Sequence, residues 1–103
     1  MKILLACGGG MSSSLLATAL QNEAAKHGQN WTVHETSIDK VPDDLNEEDY
    51  QFILLAPQVS FKKKDFEEEA AKKNTEFILI PMTMYTPAKI NQLYELVNQE
   101  AEK

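Results

Sequence analysis

The chain is 103 residues long, enough for one modest core, and its 43% hydrophobic and 25% charged residues are close to globular averages, which excludes a disordered or membrane-embedded body. Sixteen acidic against ten basic side chains give a net charge of −6, and all ten basic residues are lysines. An acidic chain with no guanidinium lacks the footprint of a nucleic-acid binder and the usual bidentate clamp on a transferring phosphoryl group or a dinucleotide phosphate.

In chain order, four apolar runs are predicted as strands: Ile3–Ala6, Trp31–Ser37, Phe52–Ala56 and Glu76–Ile80. KILLA, FILLA and EFILI are nearly unbroken, the pattern of strands covered on both faces, whereas WTVHETS alternates and reads as an edge strand. Helices are predicted over Ser12–His27, a short irregular piece at Pro42–Glu48, Lys62–Lys73 and Pro87–Lys103. The first helix offers Leu15, Leu16, Ala19 and Leu20 as its apolar face and Gly28 as its stop; the last offers Ile90, Leu93, Leu96 and Val97, with Pro87 in its first turn. Alternating strands and helices imply right-handed crossovers and a single three-layer α/β domain, residues 1–103, on a parallel sheet. No apolar run is long enough to cross a bilayer, and MKILLAC is too short for a signal peptide, so a cytoplasmic location is expected. With one cysteine there is no internal disulfide, and Cys7 is a reduced thiol or a packed small hydrophobe.

Cys7 ends the first strand and opens the turn Gly8-Gly9-Gly10-Met11-Ser12-Ser13-Ser14. In open parallel sheets ligands gather at strand carboxyl ends, beside the point where strand order reverses. Glycines let successive amides turn inward, the following helix adds free N–H groups and a positive dipole end, and serine hydroxyls either donate to an anion or cap the helix. Such a cradle is expected to favour the thiolate, making Cys7 a candidate nucleophile whose phosphoryl adduct the same donors would stabilise. The competing explanation is structural: a lone cysteine at a strand end is commonly a packed small side chain, and glycine-rich turns often serve helix packing alone.

Three chemistries compete for this corner. A cysteine-dependent phosphatase needs arginine six positions after the thiol, where Ser13 stands. A dinucleotide site asks for G-x-G-x-x-G, and Gly8–Ser13 supplies only the first two glycines, with Glu35 or Asp39 as the acidic ribose ligand. No Gly-Lys-Ser/Thr follows the loop, so a Walker site fails. Transient storage of a phosphoryl group on sulfur remains, with two alternatives: a small anion- or nucleotide-binding module with a structural cysteine, or a cysteine-dependent phosphatase-like enzyme, which the missing arginine disfavours.

Cys-Gly-Gly-Gly-Met-Ser-Ser-Ser-Leu-Leu at Cys7–Leu16, joined to LLAPQVSF at Leu54–Phe61, resembles the enzyme IIB component of the phosphoenolpyruvate-dependent sugar phosphotransferase system, lactose/cellobiose type. The resemblance implies a four-stranded parallel sheet in order 2-1-3-4 flanked by helices. It implies that Cys7 accepts a phosphoryl group from a histidine of the IIA component and passes it to the sugar held by the membrane IIC component, through which the chain is peripherally attached to the membrane. Gly8, Gly9, Gly10, Met11, Ser12, Ser13, Ser14 and Leu15 match the phosphate-holding loop, with Gly9 where relatives often carry alanine. Gln58 either donates its amide to the anion or caps its loop. No cofactor, metal or nucleic-acid partner is expected, and the resemblance assigns nothing to Thr83 or Tyr85 and does not name the sugar.

Other features have plain readings. Lys62, Lys63 and Lys64 are a solvated run offset by Asp65 and Glu67–Glu69, or a steering patch for an acidic rim on IIA or IIC. His27 and His34 are surface residues without metal spacing. Met11, Met82 and Met84 are packing residues, and Trp31 is expected to be partly buried.

Overall fold

The computed structural model describes residues 1–8 and 11–103; the side chains of Met11 and Ser12 are outside the described set. Strands β1 (Lys2–Cys7), β2 (Thr32–Ser37), β3 (Phe52–Leu55) and β4 (Glu76–Leu79) alternate with helices α1 (Met11–Lys26), α2 (Val41–Glu47), α3 (Lys63–Lys72) and α4 (Ile90–Ala101). The strands form one parallel sheet in the order β2-β1-β3-β4. The chain leaves β1 for one neighbour, β2, and later returns to its other side as β3. The carboxyl ends of β1 and β3 therefore flank the crevice where strand order reverses.

The unbroken runs are unbroken because both faces are covered. On one side Ile3, Leu5, Phe52 and Leu54 pack with Leu16, Leu20, Leu93 and Val97 of α1 and α4. On the other, Leu4, Ala6, Ile53 and Leu55 pack with Val41, Leu45, Phe66 and Ala70 of α2 and α3. β4 is an edge strand whose Phe77, Ile78 and Leu79 are half-buried between the same two layers.

Helix α1 ends as expected: Gly28 takes φ 76°, Gly28 N–H donates to Ala25 O at 3.1 Å and Gln29 N–H to Ala24 O at 2.9 Å, the paired bonds that satisfy a helix's last carbonyls. Asn74, at φ 56°, closes α3 in the same way, with Thr75 N–H donating to Ala70 O at 2.9 Å. The segment around Pro42 is a regular helix, entered through a 3₁₀ turn at Ile38–Lys40. Pro87 opens a separate 3₁₀ turn, Pro87–Lys89, capped by Thr86 before α4 begins.

Four expectations need correction. Leu15 is 64% exposed and does not share the buried face of α1, which runs through Ser13, Leu16, Ala17, Leu20 and Ala24. The spacing i, i+3, i+4, i+7 counted from Ser13 explains this, because the stripe is entered by a polar residue and its true phase is shifted by one. Trp31 is fully buried, with its ring 4.9 Å from that of Tyr94, on which His27 also stacks. Met82 is 68% exposed, whereas Met84 packs against the α1/α4 layer. Ser12–Ser14 lie inside the first turn of α1, which begins at Met11, so none of them is its cap.

Strand β2 is fastened at three points by side chains. Val33 N–H donates to Oε1 of Gln21 on α1 at 2.8 Å, and the hydroxyl of Ser13 on α1 donates to Oε2 of Glu35 at 2.6 Å. The Thr36 hydroxyl donates to Oδ2 of Asp44 on α2 at 2.5 Å. These bonds give the edge strand the anchoring that its alternating, half-polar sequence cannot draw from apolar burial.

Candidate active site

Cys7 is the last residue of β1, paired with Ser37 at the end of β2. It is 4% exposed, and its Sγ–H donates to the carbonyl of Thr36 at 3.5 Å. That contact uses the hydrogen of the protonated thiol. Cys7 also forms part of the wall of a groove of about 360 Å³ completed by His34, Glu35, Thr36, Ser37, Lys40 and Asp44. Lys40 is the one lysine lining it among the described residues, opposite two carboxylates.

On the other side of Cys7 is the turn after β3. Ala56 N–H donates to Ala6 O at 2.9 Å, which carries the sheet one residue past β3 before Pro57–Lys62 forms two 3₁₀ turns meeting at Val59. Val59 is buried in the same cluster as Cys7, and a Cβ on Gly8 would lie 3.1 Å from its Cγ1. Gly8 is therefore glycine because the turn after β3 approaches it closely; its φ is not in the left-handed region. Gln58 is exposed on this rim, one residue from the Gly8 contact. Gly9 and Gly10, assigned from sequence as central amide donors, lie outside the described residues, as do the side chains of Met11 and Ser12. Ser14 is exposed on the first turn of α1.

The structure gives Glu35 a partner that the sequence does not announce and places His34 in the same groove wall as Cys7. Glu35 takes the Ser13 hydroxyl, so the position a phosphatase would fill with arginine holds a serine whose single O–H hydrogen is directed at a carboxylate. The same bond turns one of the two candidate ribose acids, Glu35, to α1, while the other, Asp39, is exposed. The available signal is the alternation of TVHETS: Glu35 follows Val33 by two and so lies on the α1 side of β2, although its side chain is exposed.

His34 belongs to a second polar chain. Tyr50 Oη donates to Glu48 at 3.0 Å, and Glu48 pairs with Lys2 Nζ at 2.9 Å. A phenol has one hydrogen, so the 3.0 Å contact between His34 Nδ1 and Tyr50 Oη requires Nδ1–H as donor when the imidazole is neutral, which leaves the Nε2 lone pair free of that bond. Burial, then the hydrogen bond and charge of Glu48, push the Tyr50 phenol up to about 12. The hydrogen bond from Lys2, then that from Tyr50, hold Glu48 below its ordinary value. No group of three or more metal-ligating side chains occurs among the described residues, and no helix among them is long and apolar enough to cross a membrane.

A family model described as "PTS system, Lactose/Cellobiose specific IIB subunit" matches residues 2–96. The chain belongs to this IIB family. It is 36% identical over 103 residues to the oligo-beta-mannoside-specific EIIB component of Bacillus subtilis (strain 168), covering 95% of this chain and 98% of that one. It is 33% identical over 86 residues to the galactose-specific EIIB component of Lactococcus lactis subsp. cremoris (strain MG1363), covering 81% and 80%. The lactose-specific IIB domain of Streptococcus pneumoniae superposes with a TM-score of 0.80 at 21% identity, over 96% of this chain and 95% of that one, a likeness of fold. The cellobiose-specific IIB protein of Borrelia burgdorferi gives 0.69 at 29% identity, over 93% and 86%. This IIB chain thus has the expected sheet order and is a phosphotransferase-system component of sugar uptake.

Proposed function

We propose that Cys7 is the covalent phosphoryl site of this IIB component. The Cys7 sulfur attacks phosphorus on the phosphohistidine of the IIA component; the S–P bond forms as the N–P bond breaks, and the imidazole leaves with the proton that the thiol gives up. A hydroxyl of the sugar held by the membrane IIC component then attacks phosphorus, the S–P bond breaks, and the departing sulfur takes up the hydroxyl's proton, restoring the thiol with the sugar phosphorylated. The observation that carries this reading is the position of the chain's one thiol: it ends β1 at the reversal of strand order, in the wall of an open groove, directly before the glycine turn.

The absence of arginine supports a carrier over a hydrolase. A carrier must keep its phosphoryl group from water until an acceptor arrives, and strong cationic stabilisation of a hydrolytic transition state would discharge it early. The amides of Gly8–Leu15 and the hydroxyls of Ser12 and Ser14 are the donors this reading assigns to the anion. Both exchanges require another protein to come to Cys7, the first bringing phosphorus and the second the acceptor hydroxyl. Leu15, Phe61 and Met82, at 64%, 73% and 68% exposure, all follow carboxyl ends of strands and supply an apolar rim suited to a transient partner. The names of the relatives cover several sugars, consistent with IIC holding the sugar.

The test is intact mass after incubation with phosphorylated IIA. Uptake of one phosphate, absent from Cys7→Ser, is expected; no uptake, or equal uptake by Cys7→Ser, refutes the assignment, and rapid loss of the group in buffer refutes the carrier role.

A further inference from the structure

We infer that Glu35 is the positioning residue of the cysteine loop: it accepts the Ser13 hydroxyl and so fixes the first turn of α1 against the end of β2. Its consequence for transfer rests on the phosphocarrier reading above.

Ser13 is 1% exposed and its Oγ lies 2.6 Å from Glu35 Oε2, the length of a strong O–H···O⁻ bond. A hydroxyl has one hydrogen, and this one is given to Glu35. Ser13 therefore leaves the set of hydroxyls that donate to a phosphoryl group. Two turns along the same helix, Gln21 accepts Val33 N–H at 2.8 Å. Two ties from one helix to one strand fix both the height and the rotation of α1, whose first residue, Met11, is four positions after Cys7.

Glu35 forms no ion pair among the described residues, although it lines the groove beside Cys7. A carboxylate facing an incoming dianion opposes binding through its charge. The bond it makes offsets that opposition: the oxygen turned to Ser13 holds the start of the helix that follows the cysteine loop. Catalysis that depends on preset dipoles is sensitive to small displacements of those dipoles, so loosening this turn reduces transfer without removing a donor.

The experiment compares Glu35→Gln, Glu35→Ala, Ser13→Ala and the double Ser13→Ala/Glu35→Ala in the full chain, each checked for a cooperative melt. Two rates are read: alkylation of Cys7 by iodoacetamide, site-specific because there is one thiol, and phosphoryl uptake from phosphorylated IIA at several IIA concentrations. Ser13→Ala and Glu35→Ala are each expected to lower maximal uptake about tenfold or more, with the half-saturating IIA concentration little changed, and to shift the alkylation rate in the same direction. The double variant is expected to match the worse single, and Glu35→Gln, whose amide oxygen still accepts from Ser13, to stay within about threefold of the parent. Multiplying effects in the double, parent-like behaviour of Glu35→Ala, or a Glu35→Gln as impaired as Glu35→Ala would overturn the inference. If the parent takes no phosphate, the phosphocarrier reading fails by itself, and the alkylation pattern still decides whether Glu35 acts through Ser13.

Discussion

Replacing Gly8 by alanine would place a methyl group 3.1 Å from Cγ1 of Val59, several tenths of an ångström inside ordinary contact. Val59 is buried and β-branched, so it cannot turn aside without leaving its preferred rotamer. Overpacking of this kind costs about 1–3 kcal/mol. Against it stands the unfolded-state gain of a Gly→Ala change where φ is acceptable, about 0.4–1 kcal/mol. The net is a loss of about 1 kcal/mol, or about 4–8 °C in melting temperature for a chain of this size. Val59→Ala removes the obstructing methyls and itself costs about 2 kcal/mol through lost burial and a small cavity. In that background the clash is absent, and Gly8→Ala should change sign, stabilising by about 0.4–1 kcal/mol. Urea unfolding of the four proteins in the cycle measures the coupling, expected at about 1–3 kcal/mol. Additivity within about 0.3 kcal/mol would refute the claim that steric approach of the turn after β3 is what requires glycine at this position.

Three further outcomes are expected. Leu16→Ala should lower stability by about 2–5 kcal/mol, whereas Leu15→Ala should leave it within about 0.5 kcal/mol and instead slow phosphoryl uptake from IIA; thermal melts beside transfer kinetics separate the two. Changing Lys63 and Lys64 to glutamine should slow uptake at low ionic strength and have little effect in about 1 M salt, since neither lysine is ion-paired among the described residues while Lys62 pairs with Asp65 at 3.6 Å; equal rates at low salt would remove them from the docking surface. Because the folded Tyr50 phenol sits above its ordinary value of 10 at about 12, its contribution is complete below pH 10 and lost as pH rises towards 12. Tyr50→Phe should flatten that alkaline decline in urea midpoint, and an unchanged slope would contradict it.

The sheet was readable because its information is local. Apolar runs long enough for strands but too short for helices, separated by amphipathic segments, leave few topologies, and the joint appearance of CGGGMSSS and APQV selected among them. The position of Cys7 at the end of β1 was legible for the same reason. What escaped were contacts whose partners lie far apart in sequence. The Ser13–Glu35 bond spans 22 positions, and the approach of Val59 to Gly8 spans more, so neither element of a pair announces the other. The phase error on α1 has a different origin: Leu15 and Leu16 are equally apolar, and only the sheet beneath the helix distinguishes them. Leu15, Phe61 and Met82 look like core by composition, yet all three are exposed.

The bond from Val33 N–H to Gln21 has an effect on behaviour at high concentration. A peripheral strand with open amides is a template onto which a neighbouring molecule can add, and repeated addition leads to fibrils. Gln21 occupies one of those amides on β2 from within its own molecule, so an intruding strand would have to displace it before pairing could spread. Gln21→Leu would keep much of the helix's shape while unmasking that site, converting an intramolecular latch into a nucleus for self-association.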